Sequence, residues 1–258
     1  MARKHRISAG RRCRTASLRA KESVMFSVIF EVNRRPDKQD EYLENAKHLK
    51  PILESIDGFI DNERFESKLR QGWLLSHSTW RDEKSVVRWR TQGDHHHVQE
   101  KGRFEIFRDY HLRVGEVISD TAPPPQAPIR EMRFDETQVG EGKYITFTEL
   151  TPADGSSFGM QPQRLPAHLG LDTRSEGLVN FDVWESINSQ GKLALTAGWT
   201  TADRARAWKP APLAGAKPIR HRVVRVVRDY GMFDRREAPQ FYAQVFRHES
   251  HATTTLNA

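Results

Sequence analysis

The alternation of apolar and polar positions runs through one cycle of elements twice along this chain. Residues 25–32 place Phe26, Val28, Phe30 and Val32 on one face and Ser27, Ile29 and Glu31 on the other. That alternation predicts a strand whose second face is not purely core. Beyond Asp37, a suitable helix N-cap, the residues Tyr42, Ala46, Leu49, Leu53 and Ile56 recur at helical spacing. Pro51 should kink or restart that helix, and Gly58 should end it. Residues 59–67 and 73–80 read as an antiparallel pair turning around Gln71-Gly72. Asp82 then caps a second helix carrying Val86 and Trp89, and residues 104–117 make a long last strand. The order β-α-β-β-α-β is the split unit of ferredoxin-like folds.

The second cycle is weaker in its helices. Residues 144–150 are its first strand, and residues 161–169, interrupted by Pro162 and Pro166, allow one or two helical turns. Residues 178–187 and 192–199 form the hairpin, Thr201 takes the capping place of Asp82, and Pro210, Pro212 and Pro218 make the stretch after Trp208 a loop. Landmarks match between cycles. Trp80 precedes Trp89, and Trp199 precedes Trp208, by nine residues; Arg108-Asp109-Tyr110 and Arg228-Asp229-Tyr230 follow after 19 and 20. Gly58-Phe59 and Gly177-Leu178 open corresponding runs. A module of about 95 residues is far longer than a solenoid repeat, so two complete domains are expected. The boundaries are residues 1–23 as a basic arm, 24–118 as the first unit, 119–142 as a linker with four prolines, 143–246 as the second unit and 247–258 as a frayed tail.

Charge changes the picture only at the start. Eight of the 41 Lys and Arg, against Glu22 alone, lie within residues 1–23, and that arm carries the whole formal charge of +7. The rest is balanced, so no specific nucleic-acid partner is expected. The arm is Arg-rich like a mitochondrial transit peptide; the plainer reading is an unstructured extension, with a start at Met25 beginning the first strand. It should be dispensable for folding and activity. Cys13 is the only cysteine, which excludes an intramolecular disulfide and a cysteine metal site, and a reducing cytoplasm fits this best. No stretch of 18 apolar residues predicts a membrane span.

The candidate chemistry sits in the first cycle. Helical neighbours point about 100° apart, so His95, His96 and His97 cannot all ligate one ion, and no metal site is expected. One of them could face a cleft as an acid–base group. Trp80 and Trp89 can wedge helix against sheet or line a site. His77 shares a face with Trp73, Leu75 and Thr79 and should be a buried, hydrogen-bonded histidine. The Arg-Asp-Tyr triplets recur in both cycles, which suits a task in strand pairing or the interface. No nucleotide-binding glycine pattern, nucleophile motif or zinc spacing is present.

The run Ser78-Thr79-Trp80-Arg81-Asp82-Glu83, with Val87-Arg88-Trp89-Arg90, His95 and residues 107–114, resembles the antibiotic biosynthesis monooxygenase superfamily. The resemblance implies an α+β fold in which two ferredoxin-like units pair as an intramolecular dimeric α+β barrel, with homo-oligomers open to it. It also implies a cofactor-independent oxygenase acting with O2 on a small aromatic or quinol-like substrate between the sheet and helices of the first unit. There Trp89 would stack on the substrate and His95 or His97 would take its proton. Trp80, His77, Ser27 and Glu31 are the further candidate substrate contacts. Haem is the alternative cofactor, but Gln99 stands ten residues after Trp89 where that branch places His, and the first strand lacks its Asn. A third alternative is a binding or stress-response protein that kept only the fold.

Overall fold

A computed structural model describes residues 24–246 except Gln126, Pro128 and Ser156, so the expectations for the basic arm and the tail lie outside the described residues. The first half runs β1 (Phe26–Arg34), α1 (Gln39–Ser55), β2 (Phe59–Ser67), β3 (Trp73–Trp80), α2 (Glu83–Arg90), α3 (Gly93–Lys101) and β4 (Phe107–Asp120). The second runs β5 (Tyr144–Leu150), α4 (Leu165–His168), β6 (Leu178–Ser186), β7 (Leu193–Trp199), α5 (Ala202–Ala207) and β8 (Arg220–Gly231). Antiparallel pairing closes all eight strands into a barrel in the order β1-β3-β2-β6-β7-β5-β8-β4. This is the dimeric α+β barrel within one chain.

The halves join along two unequal seams. β2 meets β6 only from Phe65 opposite Ser186 to Ser67 opposite Trp184. β4 meets β8 from His111 opposite Gly231 to Asp120 opposite Arg222. The recurrent triplets lie on those two long strands, and His111 Nε2 reaches Asp229 Oδ1 across the seam at 2.6 Å. Inside the barrel Met25, Ile29, Phe65, Leu75, Ile145 and Phe147 from both halves pack into one core. Charges that enter it are paired, among them Glu31 with Arg113, Arg222 with Glu149 and Asp182 with Arg70, because an unpaired buried charge is costly.

Alternation turns the other face of each sheet toward its helices. Tyr42, Leu49 and Leu53 of α1 are buried there. The helix runs unbroken through Pro51, whose position is exposed, since Leu49 and Leu53 anchor it on both sides. Asp37 belongs to a 3-10 turn, Pro36–Lys38, and makes no cap; α1 begins without a side-chain cap. Asp82 Oδ1 does cap α2, accepting from Ser85 N at 2.8 Å, and Thr201 caps α5. The cap of α3 is Gln92, which accepts from His95 N at 2.7 Å. A π-helical turn, Gly102–Ile106, delays the start of β4. Gly58 and Gly177 hold φ of +91° and +81°, and each carbonyl accepts from the residue after a framework tryptophan, Arg81 and Thr200.

The connector is pinned rather than free beyond its prolines. Ala127 is buried in the barrel core, Met132 N donates to Glu116 at 2.7 Å, and Thr137 N donates to Val226 O at 2.8 Å. Among the described residues no helix is long and apolar enough to cross a membrane.

Candidate functional site

Between the outer face of the first sheet and its helix layer lies a cavity of about 200 Å³. Val28, Phe30 and Leu112 floor it, while Leu49, Val86 and Trp89 wall it from the helices. The cavity lies where α1, α2 and α3 stand over a sheet whose central strand, β1, presents Val28 and Phe30.

Trp89 and His95 form one unit on its wall. Their rings stack at 3.8 Å with 13° between planes, and His95 Nδ1 lies 2.8 Å from the Trp89 carbonyl oxygen. A carbonyl only accepts, so Nδ1 carries the proton and Nε2 keeps a free lone pair. Burial, with the neighbouring His96, pushes the imidazole down to about 4, against the pull of the carbonyl. The ring is therefore neutral at ordinary pH. The imidazole takes one face of the indole, and Trp89 remains on the cavity wall.

The other expected residues are placed elsewhere. Trp80 is fully buried behind Trp89, with ring centroids 6.5 Å apart, and its Nε1 donates to Ser78 Oγ at 2.9 Å. His97 is exposed and does not line the cavity, while His96 turns to stack on Tyr242 at 5.7 Å. Ser27, Glu31 and His77 point the opposite way, into the barrel, because they occupy the alternate positions of β1 and β3. There Ser27 Oγ lies 2.8 Å from His77 Nε2, and His77 stacks on Phe147 of the other half at 4.1 Å. Burial holds its pKa well below the usual histidine range. Glu31 pairs with Arg113 and with Arg70. These three knit the barrel together and make no part of the cavity.

Two features had no sequence signal. The segment after β8 crosses back over the first half and straps the cavity: Gln240 Nε2 donates to Arg90 O at 3.3 Å and to Gln99 Oε1 at 3.2 Å. Arg103 donates to Met232 O at 2.7 Å and to Ala243 O at 3.2 Å, while Arg235 donates to the Tyr110 hydroxyl at 2.6 Å. The second feature is a set of buried donors that meet no acceptor, Asn45 Nδ2, Arg64 Nε and Arg90 Nε, on residues of the cavity wall. Burial beside Tyr110 raises the Tyr230 hydroxyl at the same wall to about 12, so it stays protonated.

These residues depart from the haem-binding pattern. The first-strand side chains facing the cavity are Val28 and Phe30, with no amide among them, and Gln99 is occupied by Gln240. Among the described residues the one imidazole on the wall, that of His95, lies flat on Trp89.

Known proteins resemble this chain in sequence and in structure. The family model described as antibiotic biosynthesis monooxygenase matches residues 25–101. A protein of Pyricularia oryzae named jasmonate monooxygenase ABM is 41% identical over 223 residues, covering 84% of this chain and 98% of its own length. Among solved structures, an aldoxime dehydratase superposes with a TM-score of 0.48 at 11% identity, over 79% of this chain and 81% of its own. An anthrone oxidase-like protein does so with 0.33 at 14% identity, over 86% and 98%. The chain belongs to the antibiotic biosynthesis monooxygenase family, and monooxygenase chemistry is the class of activity that this membership supports.

Proposed function

We propose that this chain oxygenates a small, largely apolar molecule held in the first-half cavity, with an aromatic or quinol-like substrate and no flavin or metal. The Trp89–His95 pair carries the reading: a neutral imidazole whose Nδ1 is committed and whose Nε2 is free, on the wall of an apolar space. Nε2 takes the phenolic or enolic proton, and the anion passes one electron to O2. The substrate radical and superoxide combine at carbon, and the proton on His95 returns to give a hydroperoxide. Loss of water then leaves a carbonyl. One oxygen atom stays in the product and the other leaves as water with two substrate hydrogens, so no outside reductant is needed.

The name of the Pyricularia relative favours a second reading, a cyclopentanone acid of the jasmonate type. Hydroxylating a saturated carbon with O2 also produces water, and it takes two electrons and two protons from an added donor such as a reduced nicotinamide or flavin. Oxygen uptake with hydroxyanthrones, hydroquinones and jasmonate, with and without NADH, separates the two. Donor-free uptake with the phenolic set, lowered about a hundredfold or more in His95→Gln, is the expected result. Uptake with jasmonate only when NADH is supplied would select the second reading. No uptake with any substrate under either condition would remove both.

A further inference from the structure

We infer that Gln240 and Tyr242, supplied by the second half, are positioning residues that hold Trp89 and His95 together at the first-half cavity. The inference rests on the reading of that pair as the proton acceptor. Trp89 belongs to α2 and His95 to α3, so their stack lasts only while the two helices keep their mutual placement. Gln240 spans the same junction. Its Nε2 donates to the carbonyl oxygen of Arg90, the last residue of α2, and to Gln99 Oε1 of α3. A helix leaves its last carbonyls without intrahelical partners, so Arg90 O is open to such a donor. Gln99 follows His95 by four residues and lies on the same helix face. Tyr242 takes the next neighbour: its hydroxyl lies 3.2 Å from His96 Nδ1, and the two rings stack. The strap thus grips the residue after Trp89 and the residue after His95.

The strap adds little to the core. Past Met232 none of residues 233–246 is buried, and none lies in a helix or strand. Its backbone is held in place from below, where Arg235 donates to Gln240 O at 2.8 Å and Arg103 to Ala243 O at 3.2 Å. Gln240 and Tyr242 line the cavity, while Phe241 between them is 95% exposed. A base must stay within hydrogen-bond reach of the proton that it takes, and a misplacement of about 1 Å can cost about a hundredfold in rate. A few ordinary hydrogen bonds across the α2–α3 junction therefore weigh far more on the rate than on stability. The second half, whose own helix layer is reduced, contributes to the site through this segment.

The Nδ1 proton of His95, bonded to the Trp89 carbonyl, gives a readout that needs no substrate. Its exchange with water is followed by NMR on the full chain with isotope-labelled histidine, and the signal is assigned by its loss in His95→Gln. Gln240→Leu combined with Tyr242→Phe should speed that exchange about tenfold or more, and each change alone should do less. Phe241→Ala, on the outer side of the strap, should leave it within about twofold. The melting temperature of the double variant should fall by no more than about 4 °C, which separates a loosened junction from a damaged fold. Its kcat for oxygen uptake should drop about tenfold or more with KM within about threefold. The proposal is overturned if the proton exchanges as fast in the wild type as in the double variant, or if Phe241→Ala has the same effect. A larger fall in melting temperature, or a kcat that holds despite faster exchange, overturns it too. No uptake by the wild type, with the exchange result as expected, leaves the brace standing and removes the oxygenase reading.

Discussion

The two halves share a framework, and the cavity lies on the helix face of the first. Trp80 and Trp89 lie 6.5 Å apart with 27° between planes; Trp199 and Trp208 lie 6.4 Å apart with 28°. Beside the first pair α1 is 17 residues long, and the space beneath it is the cavity. Beside the second, α4 has shrunk to four residues, and Leu165, Leu169 and Leu171 fill the core with Phe158, Met160 and Leu213 packed against them. The histidine partners differ too. His95 comes from α3 and lies flat on Trp89, whereas His221 comes from β8, meets Trp208 edge-on at 5.2 Å, and lies 2.9 Å from Thr148 Oγ1 through Nδ1. A duplicated frame can thus keep its tryptophan wedge in both copies while one copy trades its helix layer for filler. The wedge belongs to the fold, and the cavity depends on what stands over it.

That distinction can be broken most forcefully at the inner tryptophans. Trp80→Ala and Trp199→Ala should each cost about 3–5 kcal/mol in urea unfolding, since both rings are essentially inaccessible. A loss confined to one of them would end the equivalence of the two wedges. Leu165→Ala, which opens the filled side, should cost about 2–5 kcal/mol and leave oxygen uptake unchanged. At the outer tryptophans the halves should part company. Trp89→Ala should lower uptake by about tenfold or more by displacing His95, while Trp208→Ala should leave it within about twofold.

The smallest effect is one that the halves share. Burial pushes His95 and His221 down to about 4, so each binds its proton more readily in the unfolded chain. Their contribution to stability is present above about 6.5 and is lost as pH falls through about 4. Replacing either by Gln should flatten that acid limb by roughly 1–3 kcal/mol, measured as melting temperature across pH 4–7. An unchanged slope in both variants would show that neither imidazole is held neutral by its tryptophan.

Much of this was legible in the chain. Local periodicity and turn glycines act over a few residues, so strand order, the caps at Asp82 and Thr201 and the doubled Trp spacing could be read directly. Pro51 misled because the lost hydrogen bond is local, while the packing of Leu49 and Leu53 that keeps the helix intact is not. The histidines were ambiguous for a related reason: three neighbours look alike in sequence, and only the contact of α3 with Trp89 puts His95 on the cavity wall and leaves His97 exposed.

The sequence by itself determined the elements, their duplication and which residues share a strand face, because side-chain period follows from backbone geometry. It did not determine which face looks where. Ser27, Glu31 and His77 alternate as cleanly as Val28 and Phe30, and only closure of the barrel from both halves turned them inward to Arg113 and Phe147. The strap was decided at the same level. Gln240 reaches Arg90 across 150 positions of chain, a contact that no local pattern encodes and that exists only once β8 has delivered the segment to the first half.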